Sequence, residues 1–175
     1  MVIPIDKPIV LLGFMGSGKS TLGKQLAASL GWTFTDLDCF IEAEENRTIP
    51  EIFEQDGEAT FRMLESNALK KVLNQSHQVI AIGGGAPCHP GNLQLIREKS
   101  LSIYLKISET QLLHRLAWSS TPRPLLNGKS ESEIQSFITD LLVTREPYYL
   151  KADIIIESDA ITTGIILSKL EKETL

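Results

Sequence analysis

The chain is poor in cysteine, has no surplus of positive charge and contains no long apolar run. Its two cysteines, Cys39 and Cys88, show neither metal-ligand nor disulfide spacing, which excludes a cysteine metal site and a disulfide scaffold. Both are expected as small core or half-buried residues in a reducing compartment. Lysine and arginine total 17 against 22 aspartates and glutamates, a formal net charge of -5 with no basic tail. Binding a phosphate backbone needs concentrated positive charge, so nucleic acid is not an expected partner. No stretch approaches the length needed to cross a membrane. Residues 1–7 lack a charged segment followed by a long apolar one, so no signal peptide is read and the cytoplasm is the simplest location. Internal repeats and low-complexity segments are absent, as is the Asn-Lys-x-Asp motif of guanine-specific switches.

What is present is an ordinary globular composition. Of 175 residues, 42% are hydrophobic and 22% charged, enough for one domain, 1–175, around a single core. An acidic protein that handles anions must place its few arginines locally, so single arginines carry information.

The sharpest local signal is Gly13-Phe14-Met15-Gly16-Ser17-Gly18-Lys19-Ser20-Thr21. It fits the phosphate-binding loop G-x-x-x-x-G-K-[ST] in full. The apolar run Ile9, Val10, Leu11, Leu12 precedes it, and Leu22, Leu26 and Leu30 follow at helical spacing. Strand, glycine loop and helix is the context that gives the motif meaning. Glycines let successive N–H groups converge on a phosphate, and the helix N-terminus favours negative charge. Gly16, Ser17, Gly18, Lys19, Ser20 and Thr21 are therefore the candidate ATP-binding residues. Lys19 would reach the β- and γ-phosphates and Ser20 would hold Mg²⁺.

Short apolar runs alternate with helical patterns. Strands are expected at 9–13, 33–35, 78–82, 101–106 and 153–157, and helices at 19–30, 38–45, 50–55, 57–73, 90–98, 108–117, 131–148 and 160–173. Four of the strands read as buried on both faces. Ser108 with Gln111 and Ser130 with Glu133 spell capping boxes, and Gly31 fits a helix end. This is an α/β pattern, a parallel sheet wrapped by helices, whose ligands collect at the carboxyl ends of the strands. Residues 118–129 are rich in Ser, Thr, Pro, Asn and Gly and read as a lid at about 117–130.

Several residues sit where such a ligand would lie. Asp36 and Asp38 follow the second strand and share a side if the strand runs through them. One could serve Mg²⁺ and the other an attacking hydroxyl; a solvated turn, or a helix cap by Asp38, is the alternative. Arg62 and Glu65 form an i, i+3 pair, which on a surface is worth little. Gly83, Gly84 and Gly85 end the third strand, where a ligand can touch backbone. Arg123 in the lid and Arg145 late in a helix are either solvated or forks for a carboxylate or phosphoryl group.

Taken together, this set resembles the shikimate kinase family: the phosphate loop, Leu37 flanked by Asp36 and Asp38, Phe61-Arg62 with Glu65, the triple glycine, Arg123-Pro124-Leu125-Leu126, and Arg145 before Tyr148. Order and spacing match from residue 9 to about 157. The resemblance implies a P-loop fold like the nucleoside monophosphate kinases, with a five-stranded parallel sheet. It implies transfer of the ATP γ-phosphoryl group to the 3-hydroxyl of shikimate, with Mg²⁺. A monomer is expected separately, since the sequence leaves no obvious spare apolar helix face. Lys19 then corresponds to the phosphate-loop lysine, Ser20 to a Mg²⁺ ligand and Asp36 to an acidic residue near the metal. Asp38 corresponds to the base that grips the substrate hydroxyls. Arg62 and Arg145 correspond to the clamp on the substrate carboxylate, and Gly83, Gly84 and Gly85 to the loop against its hydroxyls. Phe53 and Phe61 correspond to aromatic lining. Arg123 corresponds to the lid arginine, and Arg115 and residues 158–162 to the adenine side. The chain departs from the family in its lid, where 117–122 carries no positive charge. A gluconate or nucleotide kinase of the same fold is the near rival, and the pair Arg62 and Arg145 beside Asp38 argues against it.

Overall fold

The structure is a computed structural model that describes residues 6–118, 126 and 128–173. Among them, five strands form one parallel sheet: β1 (Ile9–Leu12), β2 (Thr33–Asp36), β3 (Gln78–Ala81), β4 (Leu101–Lys106) and β5 (Ile154–Glu157), in the order β2-β3-β1-β4-β5. The helices are α1 (Lys19–Leu30), α2 (Leu37–Glu45), α3 (Ile49–Val72), α4 (Asn92–Lys99), α5 (Glu109–Ala117), α6 (Glu131–Tyr149) and α7 (Thr163–Glu173), with a short 3-10 turn at Ala86–Cys88. The five-stranded parallel sheet with flanking helices is the expected fold class.

Period-two alternation sends neighbouring side chains of each strand to opposite faces. Ile9 and Leu11 join Val79, Ile103 and Leu105 against Leu22 and Leu26 of α1 and Ile166 and Leu170 of α7. Val10 and Leu12 join Ile80 and Tyr104 on the other face, against α2, α3, α5 and α6. All four residues of β1 and of β3 are buried, and all but Gln78 are apolar. Burying one such side chain is worth roughly 1.5–3 kcal/mol. β5 departs from the expectation of burial on both faces: it is an edge strand that alternates buried and exposed, with Ile155 turned outward.

Helix ends follow side-chain chemistry. Ser130 and Glu133 make the expected capping box on α6. Ser108 makes only half of its box: its hydroxyl accepts from the Gln111 N–H, but its own N–H donates to Asp159 at 2.9 Å instead. Thr48 and Glu51 form a complete box on α3, readable from T-x-x-E but not anticipated. Helix α7 begins at Thr163 rather than 160, where the Thr162 hydroxyl accepts from the Ile165 N–H.

The two expected helices at 50–55 and 57–73 are nearly continuous in α3, broken at Gly57 with φ 80 and ψ 173. A side chain there would be strained, which is why the break falls on glycine. Cys39 is exposed, not in the core, because α2 buries Leu37 and Ile41 and turns its third residue outward. No helix among the described residues is long and apolar enough to cross a membrane.

Candidate active site

The phosphate loop joins β1 to α1 at the carboxyl end of the sheet's central strand. Gly16 and Gly18 take φ of 82 and 95, which side-chain-bearing residues rarely adopt. Ser17 is fully buried, and its hydroxyl lies 2.9 Å from where a side chain at Gly13 would start, so Gly13 has no room for one. Lys19 Nζ donates to the carbonyls of Gly13 and Phe14 at 2.8 and 2.9 Å, folded over its own loop. Ser20 and Thr21 are exposed in the first turn of α1.

The acidic pair is organised differently from a continued strand. β2 ends at Asp36 and α2 starts at Leu37, so Asp38 stands on a helix. Asp36 is the N-cap: Oδ1 accepts from the Asp38 N–H at 3.2 Å, and Oδ2 accepts from the Ser20 hydroxyl at 2.6 Å. One carboxylate thus ties the phosphate loop to α2. The pair still converges, because the first helical turn returns Asp38 toward the same cavity. Asp38 is half-buried, and its pKa is pushed up to about 6. Burial is the main cause; Asp36, Glu65 and Glu42 add to it and Lys19 opposes it.

Each glycine of the triplet faces different polar side chains. A Cβ at Gly83 would lie 3.2 Å from Glu65 Oε1 and 3.3 Å from Asp38 Oδ1. At Gly84 it would meet the Tyr149 hydroxyl at 3.1 Å and Arg145 Nη1 at 3.3 Å. At Gly85 it would meet Arg62 Nη1 at 3.0 Å. The loop therefore brings together Asp38, Arg62 and Arg145, which come from three helices.

The ion pair of Arg62 with Glu65, at 2.9 Å, is not a weak surface pair, since Glu65 is 1% exposed. Burial pushes the Glu65 pKa up, and Arg62 and Arg145 counter it. Arg62 also reaches Glu58 at 3.1 Å. Phe53 and Phe61 stack with centroids 4.7 Å apart, and Arg62 lies over the Phe61 ring at 5.3 Å. Cys88, just past the glycines, is half-buried.

A cavity of about 810 Å³ spans residues 15–22, Asp36, Asp38, Gly83, Gly84, Arg115 and Ile161, a size suited to small-molecule ligands. Arg115 bridges its far wall, donating to the Gly16 carbonyl at 3.2 Å and the Asp159 carbonyl at 2.9 Å. Phe53, Phe61, Arg62, Gly85 and Arg145 do not line this cavity; Arg145 lies against Gly84 and Arg62 against Gly85, with Phe61 and then Phe53 packed beside Arg62. Arg123 and most of the expected lid lie outside the described residues.

Tyr149 escaped sequence reading. It is fully buried, and its hydroxyl donates to the Gly84 carbonyl at 2.6 Å. The spacing from Arg145, one helical turn, was the available signal.

The family model for shikimate kinase matches residues 15–173. This chain belongs to the shikimate kinase family. A shikimate kinase of Parabacteroides distasonis is 38% identical over 157 residues, 90% of this chain and 91% of that one. The crystal structure of shikimate kinase from Bacteroides thetaiotaomicron superposes with a TM-score of 0.87 at 37% identity, covering 95% of both chains. Shikimate kinase from Acinetobacter baumannii in complex with shikimate superposes at 0.85 and 32% identity, over 98% of this chain and 93% of that one. Family membership agrees with a phosphate loop and a substrate-sized cavity at one sheet end.

Proposed function

We propose that the protein transfers the γ-phosphoryl group of ATP to the 3-hydroxyl of shikimate, giving shikimate 3-phosphate for aromatic biosynthesis. One observation carries the residue assignment. Asp38, held near pKa 6, opens onto the same cavity as the phosphate loop and touches the glycine loop that abuts Arg62 and Arg145.

Phosphoryl transfer needs positioning and charge neutralisation more than covalent help. Asp38 accepts the proton of the 3-hydroxyl as its oxygen bonds to the γ-phosphorus. The bond from that phosphorus to the β–γ bridging oxygen breaks, and ADP departs. A base of pKa near 6 is ionised at neutral pH yet still basic enough to take that proton. Lys19, released from the Gly13 and Phe14 carbonyls, meets the β- and γ-phosphates. Arg62 and Arg145 fork the substrate carboxylate, which fixes where the hydroxyl points. The backbone of Gly83, Gly84 and Gly85 faces the ring hydroxyls, and Phe53 and Phe61 wall the apolar side. Arg115 holds the adenine side. Arg123 is assigned to the transferring group, whose charge a guanidinium would neutralise.

Ser20 and Asp36, joined by a hydrogen bond of 2.6 Å, would hold Mg²⁺ through hard oxygen donors. A bound Mg²⁺ would neutralise phosphate charge during transfer. The same reading makes the protein a cytoplasmic monomer of one domain, with ATP and shikimate as its partners.

The test is ADP production from Mg²⁺-ATP with shikimate, gluconate or nucleoside monophosphates as acceptor. Shikimate alone is expected to support fast turnover. Turnover with another acceptor and none with shikimate would sink the assignment of the carboxylate clamp.

A further inference from the structure

Tyr149 is the largest fully buried side chain of the chain's described residues, and its polar end is not idle. The hydroxyl donates to the Gly84 carbonyl at 2.6 Å, across 65 residues of sequence. The Arg145 guanidinium, one turn earlier on α6, lies against the same hydroxyl. A phenol has one donor and two acceptor sites. Here the donor goes to the glycine loop, and the oxygen faces a group that can only donate. The ring packs on Tyr104 with centroids 5.2 Å apart. Tyr104 in turn donates to Glu146 at 3.2 Å. The phenol is therefore held from both ends and has little freedom to shift.

We propose that Tyr149 is a positioning residue, whose hydroxyl sets the Gly84 carbonyl and the Arg145 guanidinium relative to one another. The inference rests on the reading of Arg145 as part of the carboxylate clamp. A phenylalanine would fill the same volume and leave the Gly84 carbonyl without its donor and Arg145 without its stop. Arg145 would then sample orientations that miss the substrate carboxylate. Tyr149 is not among the residues that line the cavity shared by the phosphate loop and Arg115.

The experiment compares Tyr149→Phe with the wild-type protein for KM of shikimate, KM of ATP and thermal midpoint. KM for shikimate is expected to rise about tenfold, the scale of one well-placed buried hydrogen bond. KM for ATP is expected to stay within about twofold. A purely structural role would instead lower the midpoint and move both constants together, and that result overturns the proposal. The double variant with Arg145→Ala supplies the second check. If Tyr149 acts through Arg145, adding Tyr149→Phe to Arg145→Ala changes KM for shikimate little. Additive effects overturn the proposal. An unchanged KM in Tyr149→Phe overturns it while leaving the shikimate reading intact. A wild-type protein inactive on shikimate removes both.

Discussion

Replacing Asp38 by asparagine separates stability from chemistry in a way that can be calculated. In the folded protein the Asp38 carboxyl has a pKa of about 6, against 3.8 for the ordinary value. The difference of about 2 pK units corresponds to about 3 kcal/mol, since one unit is worth about 1.4 kcal/mol. The sign follows from which state holds its proton more tightly. The folded state does, so the unfolded chain ionises first as pH rises. Below pH 3.8 the carboxyl is neutral in both states and costs nothing. Between 3.8 and about 6 the penalty grows, and above 6 it is fully present. Asparagine keeps the shape and stays neutral. Asp38→Asn is therefore expected to unfold later than the wild type at pH 8, by up to roughly 6–12 °C for a domain of this size. The gain should fall to about half at pH 5 and be nearly gone at pH 4. The same variant should lose at least about 10²-fold in turnover with shikimate, because an amide cannot take the hydroxyl proton. ATP binding should survive. Scanning calorimetry on both proteins across pH, with a coupled ADP assay, reads all of this. Equal midpoints at pH 8, or a gain that persists unchanged to pH 4, would refute the claim that burial and neighbouring carboxylates load this site.

The remaining expectations concern the same wall of the cavity and one packing contact. The kcat/KM for shikimate should lose activity on the acid side with a limb near pH 6, and a flat profile down to pH 5 would remove Asp38 as the base. Lys19→Met should cut turnover by about 10²-fold or more through loss of charge at the phosphates; a near-wild-type rate in the ADP assay would undo the phosphate-loop assignment. Arg145→Lys should raise KM for shikimate by about tenfold, because a lysine cannot make the bidentate fork, and an unchanged KM would mean that Arg145 does not hold the carboxylate. Gly23→Ala would place a methyl 2.5 Å from a Phe34 ring carbon. It should cost about 1–3 kcal/mol in denaturant unfolding, and an unmoved midpoint would contradict so close a packing of α1 on β2.

Much of this arrangement was legible in the chain because local rules and tertiary demands agree. The run Ile9 to Leu12 is apolar throughout since β1 is central and covered twice, and nothing in its surroundings overrides that pattern. Gly16, Gly18 and Lys19 are readable because the backbone of a phosphate cradle restricts which residues fit. Reading failed where the deciding partner lay far away in sequence. Asp36 is 16 residues from Ser20, and that hydrogen bond, together with capping of α2, ends the strand that alternation alone would have continued to Asp38. Glu65 passes for a surface charge until Gly83 is packed over it. Asp159 diverts the Ser108 N–H from a capping box across 51 residues. Tyr149 was invisible because a tyrosine late in an amphipathic helix reads as core. Its ring is core; only its hydroxyl meets the site.

The triple glycine explains why the site tolerates such neighbours. A Cβ at each would crowd polar side chains at 3.0–3.3 Å: Asp38 and Glu65 at the first, Tyr149 and Arg145 at the second, Arg62 at the third. Backbone freedom is therefore the smaller part of the reason, since none of the three has a positive φ. What glycine supplies here is the missing Cβ. It lets two carboxylates and two guanidinium groups from α2, α3 and α6 press against one strand end at van der Waals distance. Burial raises the pKa of both Asp38 and Glu65; Asp36 and Glu65 add to the rise at Asp38, while Arg62 and Arg145 counter the rise at Glu65. Glu65 has a guanidinium within 2.9 Å, whereas the cation opposing the rise at Asp38 is Lys19, which is bound to the loop carbonyls. The two acids consequently divide their work by their partners: the paired one anchors Arg62, and the less compensated one is left with the pKa of a base.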